Sequence, residues 1–157
     1  MEKYIKPFVD VCVKIFKEFI GCDLTAGHPY FENKNAPQDW DISAIIGLTG
    51  EARGAVVISM KKELAVKLTG LLTGSEHKEL DGEVVDAVGE IVNIIAGNVK
   101  RELEEAFRLV ISLPSIVEGK EHIIKWPTNL ARIMCIPFTV FENSFCLSVA
   151  IESVKRA

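Results

Sequence analysis

The sequence lacks an excess of basic residues, any C-x-x-C pair, and the short motifs that mark self-contained catalysis. Its 18 Lys and Arg stand against 22 Asp and Glu, giving a net charge of −4 and a pI near 5.4. That balance argues against a nucleic-acid or anionic-membrane surface. No basic stripe with interleaved aromatics offsets it, and aromatics are only 8% of the chain. The opening MEKYIKPFVDVCVKIFKEF interrupts its apolar run with charges, so neither a signal peptide nor a membrane span is expected. The cytoplasm is the expected location. Four cysteines (Cys12, Cys22, Cys135, Cys146) and three isolated histidines (His28, His77, His122) show no metal-ligand spacing. The cysteines read as buried, reduced thiols. P-loop, G-x-G-x-x-G, H-E-x-x-H and G-x-S-x-G signatures are all absent. No metal site and no intrinsic cofactor is therefore expected. If the chain is an enzyme, something else supplies much of the chemistry.

What is present is an ordinary globular composition, 48% hydrophobic and 25% charged over 157 residues. That length suits a single domain, residues 1–157, with one continuous core. Residues 4–20 place Ile5, Phe8, Val9, Cys12, Ile15, Phe16 and Phe19 at helical spacing, with Pro7 in the first turn and Gly21 as the stop. Residues 22–38 read as a loop. WDISAIIGL (40–48) and ARGAVVISM (52–60) read as a hairpin. Residues 61–73 put Leu64, Leu68, Leu71 and Leu72 on one helical face. A long helix follows from about 82 to 106, with Asp81 as N-cap and Glu83 in its first turn.

Strands are then expected at 108–114, 121–126, 131–141 and 144–154, with a tight turn at Glu142-Asn143 and a bulge or edge at Pro137. Hairpin-linked strands make the sheet mostly antiparallel. The fold class is α+β, with long helices packed on the sheet.

The long helix carries the feature that asks for a function. At 100° per residue its apolar face gathers Val84, Val88, Ile91, Ile95 and Val99. Glu83, Asp86, Glu90, Asn93 and Gly97 form a stripe on the other side, with Glu90 and Asn93 one turn apart. Asn98 points toward the apolar flank and is expected to bond neighbouring backbone. A solvated face accounts for polar residues in general. It does not account for asparagine in a helix interior, or for Gly89 and Gly97, each of which costs roughly 1 kcal/mol against alanine. Small residues beside a polar stripe point to a surface that approaches closely.

Asp86-x-x-x-Glu90-x-x-Asn93, followed by Ala96-Gly97-Asn98 and later Pro114, resembles the CheC/CheX/FliY family of chemotaxis phosphatases. The likeness runs from about residue 5 to 152 and includes the Gly47–Gly54 hairpin and Leu113-Pro114-Ser115. The single Glu-x-x-Asn helix resembles the CheX arrangement, because the first helix has Glu18-Phe-Ile-Gly21 with no asparagine partner.

The resemblance implies a CheC-like fold, a homodimer, and removal of the phosphoryl group from the aspartate of the response regulator CheY or a relative. It implies Glu90 and Asn93 as catalytic residues and Asp86, Gly97 and Pro114 at the partner surface. Mg²⁺ would come with the phosphorylated regulator. The main alternative is a catalytically silent module of the same fold that docks a regulator or serves the flagellar switch. A generic ligand-binding α+β domain is a third reading.

Overall fold

The computed structural model describes residues 4–32, 39–126 and 132–154. Helix α1 (Ile5–Ile15) turns Phe8, Val11, Cys12 and Ile15 inward. It continues as a π-helical turn, Phe16–Ile20, and ends at Gly21, whose φ of 87° is a left-handed cap that a Cβ disfavours. The wider turn changes which side chains bury. Phe16 and Ile20 enter the core, whereas Phe19, expected on the apolar face, is exposed.

The expected loop holds two short strands, β1 (Thr25–Ala26) and β2 (Tyr30–Phe31), while its residues 33–38 lie outside the described part. Strands β3 (Ile42–Gly50) and β4 (Ala52–Met60) form the expected hairpin, with Ile42 opposite Met60 and Leu48 opposite Gly54. A Cβ on Gly54 would overlap the Ala150 carbonyl, so only glycine lets the neighbouring strand approach there. Helix α2 (Lys62–Thr73) buries Leu64 and Leu68. Leu71 and Leu72 are exposed instead, because the whole last turn faces solvent.

Helix α3 (Gly82–Glu102) ends a turn earlier than expected and packs against α1, α2 and β3. Two short strands follow, β5 (Leu109–Ile111) and β6 (Ser115–Glu118), then β7 (Met134–Val140) and β8 (Asn143–Ser153). Residues 121–126 are not a strand. Gly119 (φ 131°) and Glu121 (φ 56°) turn the chain away, and Ser115–Glu118 takes the place on β3 instead. The β7–β8 turn falls at Phe141-Glu142, both at positive φ, one residue before the expected position.

The sheet runs β7-β8-β4-β3 at its centre, with β1 and β2 along the outer side of β7 and β5 and β6 along β3. Every pairing is antiparallel. Helices cover one face, where Phe16 stacks on Phe145 and Phe145 on Phe138, each pair at 5.1 Å. The other face is covered too. Ser148 donates to Glu32, His122 Nε2 lies 2.6 Å from Ser43 Oγ, and Trp126 packs on Ile133 and Ala150.

On that face Cys135 and Cys146 are joined as a disulfide, not held apart as reduced thiols. Pro137 opposes Cys146 and Cys135 opposes Ser148, so the two cysteines are diagonal neighbours on one face, 6.2 Å apart at Cα. Pro137 fits because β7 has only fragmentary partners outside it, where its carbonyl accepts from Gly27. Strand β8 is interior, and the outer side of β7 is partly paired. Among the described residues, neither β8 nor the full length of β7 is left as an open edge.

Asp81 caps α3 as expected, its Oδ1 accepting from Val84 N at 2.9 Å while its other oxygen sits 2.9 Å from His77 Nδ1. The hydrogen bond to His77 holds the Asp81 carboxyl below its ordinary value of 3.8. The same bond raises His77 above 6.5. The aspartate's contribution is thus present above pH 3.8 and lost as pH falls through its lowered pKa. The histidine's is full below pH 6.5 and lost as pH rises through its raised pKa. Asp81→Ala is expected to lower Tm by about 3 °C near pH 6, a typical cap effect for this chain length. In melts taken at a series of pH values, the gap should shrink above the raised His77 pKa but not close, because the cap bond to Val84 remains.

Candidate active site

Helix α3 places the polar stripe by simple periodicity. Val84, Val88, Ile91, Ile95 and Val99 are buried against the core. Asp86 and Glu90 are exposed, and Asn93 and Gly97 are half-buried on the side turned away. Neither Glu90 nor Asn93 hydrogen-bonds or ion-pairs with any other described residue. A carboxylate and a carboxamide one helical turn apart therefore face outward with their capacity unspent. Asn98 stands apart from them, donating to the Ile94 carbonyl at 2.8 Å and accepting from Arg101 at 2.6 Å.

The two glycines have different explanations. A Cβ on Gly89 would lie 3.4 Å from Ile116 Cδ1 and 3.6 Å from Pro114 Cγ. The surface that approaches Gly89 is thus the protein's own β5–β6 connection, and Pro114 is brought beside the stripe at the level of Asn93's preceding turn. Gly97 has nothing within 4 Å of where its Cβ would be. It borders a shallow groove formed with Ile94, Asn98, Lys100, Arg101 and Ile111. All five residues singled out in the sequence, Asp86, Glu90, Asn93, Gly97 and Pro114, therefore lie on one side of the molecule.

Sequence reading missed the connection itself. Ser112 Oγ accepts from Gly47 N at 2.8 Å and donates to Leu113 O at 2.9 Å, and Ser112 N donates to Gly47 O at 3.0 Å. A second omission lies on the far face of the sheet, where the ligating atoms of Glu32, Cys135 and Cys146 come within 4.8 Å of one another. Burial pushes the Glu32 carboxyl up, against the opposing hydrogen bond from Ser148. The two sulfurs there are bonded to each other, and the sheet separates the group from α3. Burial likewise raises the Cys12 thiol.

The family described as chemotaxis phosphatase CheX matches residues 42–139, from the first residue of β3 to within one residue of the end of β7 and across the whole of α3. The chain belongs to the CheX family. It is 32% identical over 112 residues to the CheY-P phosphatase CheX of Thermotoga maritima, covering 69% of this chain and 70% of that one. Among solved structures it is similar to the chemotaxis protein CheX of Vibrio vulnificus, with a TM-score of 0.86 and 27% identity over 96% of this chain and 99% of that one. The fold is also that of CheX in the CheX–CheY–BeF₃–Mg²⁺ complex of Borrelia burgdorferi, with a TM-score of 0.78 and 23% identity over 96% and 98% of the two chains.

Proposed function

We infer that this CheX-family chain hydrolyses the phospho-aspartate of a CheY-type response regulator and so ends the signal that the phosphoryl group carries. The observation that carries the reading is the Glu90/Asn93 pair on the outward side of α3, whose side chains have no partner among the described residues. In this reading the Asn93 carboxamide accepts from and donates to one water and aims its oxygen in line at phosphorus. The water oxygen bonds to phosphorus, the bond from phosphorus to the aspartyl oxygen breaks, and phosphate leaves with the regulator's carboxylate restored. Asn93 positions the water and takes no proton. Glu90 pairs with a lysine of the regulator and fixes the register of the two proteins. The Mg²⁺ that accompanies such a phosphoryl group belongs to the regulator in this reading, and the Borrelia complex contains Mg²⁺ together with CheY. The reaction belongs in the cytoplasm, and the homodimer enters this reading on the family resemblance alone.

The test is to mix the protein with a phosphorylated CheY-type regulator and follow phosphate release. Release no faster than the regulator's own rate overturns the reading. Asp86, Gly97 and Pro114 act here as docking surface without a chemical role. Gly97→Leu, which adds bulk where there is open space, is expected to weaken regulator binding at least about tenfold while Tm stays within about 1 °C. An unchanged binding isotherm removes Gly97 from the interface.

A further inference from the structure

Leu113 is 86% exposed, more than any other large apolar side chain among the described residues. A single exposed leucine is ordinary on protein surfaces, but its mounting here is not. Leu113 sits in the three-residue connection between β5 and β6, both of which pair with β3. On one side Ser112 is tied to Gly47 by two hydrogen bonds and to the Leu113 carbonyl by a third. On the other side Pro114 fixes φ, and its ring lies beside Gly89 of α3.

The connection also runs beside α3. Ile111 lines a groove with Gly97 and other residues of the helix's second half, and Pro114 meets the helix at Gly89, next to Glu90 and one turn before Asn93. Leu113 is the residue directly before Pro114. A leucine held out to solvent on a pinned loop, beside an unpartnered carboxylate and carboxamide, is preorganised for contact. It loses little freedom when a partner covers it.

We propose that Leu113 is the apolar anchor on which the response regulator seats, a contact that contributes affinity beside Glu90 and Asn93 and takes no part in the chemical step. The proposal rests on the phosphatase reading above and adds a partner-binding residue to it. Leu113 contributes binding area at the centre of the contact, with the polar stripe as its neighbour. Ser112 contributes by holding the leucine in place.

The experiment measures the affinity of each variant for a beryllofluoride-activated CheY-type regulator, together with kcat and KM for the phosphorylated form. Leu113→Ala is expected to raise Kd and KM about tenfold, and Leu113→Asp about a hundredfold, with kcat within about twofold of the parent. Leu113→Met should recover most of the affinity, and Ser112→Ala should lose part of it. Melting curves should not move for the Leu113 variants, since the side chain touches solvent.

Unchanged Kd and KM in both Leu113→Ala and Leu113→Asp would overturn the proposal while leaving the phosphatase reading intact. A fall in kcat with KM unchanged would overturn it too, by placing Leu113 in the chemistry. So would a change in mass by light scattering with regulator affinity preserved, which would assign the leucine to self-association. If the parent protein neither binds nor dephosphorylates the regulator, the phosphatase reading falls and the anchor falls with it.

Discussion

Asn93→Ala is expected to lower kcat for regulator dephosphorylation on the order of a hundredfold or more, the scale seen when one prearranged polar group is taken from a transition state. Affinity for the beryllofluoride-activated regulator should stay within about twofold, because the water that Asn93 holds matters most when the in-line geometry forms. The melting temperature should not change by more than about 1 °C. Asn93 lies on the side of α3 away from Val88, Ile91 and Ile95, and its side chain bonds to no described residue. Removing it leaves no donor or acceptor stranded, and alanine is the better helix former. The measurement is single-turnover loss of phosphoryl from purified regulator, beside a binding isotherm and a melt. Full activity in Asn93→Ala would end the water-positioning mechanism. A large drop in Tm would instead return Asn93 to a structural role.

Glu90 is expected to behave differently. Glu90→Ala should weaken regulator binding and raise KM together, by about ten- to a hundredfold, as a charge pair across an interface is lost. The salt dependence of binding should flatten at the same time, since one ionic contact no longer contributes. Glu90→Gln should recover part of the affinity, because it keeps the shape and an acceptor oxygen while losing the charge. Glu90 is exposed and has no partner within the described chain, so neither variant should destabilise the fold. Equal affinity and equal salt slope for Glu90→Ala and the parent would exclude the lysine contact.

Much of the fold was legible because its signals are local. Helix α3 has a capping aspartate, an uninterrupted 3.6-residue apolar period and a polar stripe, each of which can be read within a few residues. The β3–β4 hairpin and β8 were legible for similar reasons. Residues 121–126 misled because Ile123-Ile124 looks like strand, whereas Gly119 and Glu121 turn the chain out of the ladder and His122 bonds to Ser43. Strands β1 and β2 are two residues each, too short to show any period. The π-helical turn left no mark in the apolar spacing.

The placement of the site divides along the same line. Glu90 and Asn93 share a helix face by arithmetic alone. Their chemical roles came with the family resemblance and not with the spacing. Gly89 suggested a close neighbour, but the nearest groups, Ile116 and Pro114, would make only ordinary contacts with a Cβ there, and only the β5–β6 connection places them. Leu113 sits at the end of the apolar run RLVISLP, read as strand throughout. Its exposure depends on where β5 stops, which pairing with β3 decides. The Glu32, Cys135 and Cys146 cluster joins a loop to two strands, and no spacing rule foretells it.

The position of β8 at the heart of the sheet has a consequence for how the chain is made. Among the described strands it is the last in the chain, yet it lies between β7 and β4 and supplies Phe145, Leu147, Val149 and Ile151 to the core. Until it arrives, the nascent β3–β4 hairpin carries an unpaired edge, with Val56 and Ile58 bare on one face and Val57 on the other. Early folding can draw on the helices, that hairpin and the β5 and β6 strands on β3, and closure waits on pairings such as Ala52 with Ser153, about a hundred residues apart in sequence. The helix that carries Glu90 and Asn93 is synthesised before β8, so the sheet it rests on is completed only after that helix has emerged.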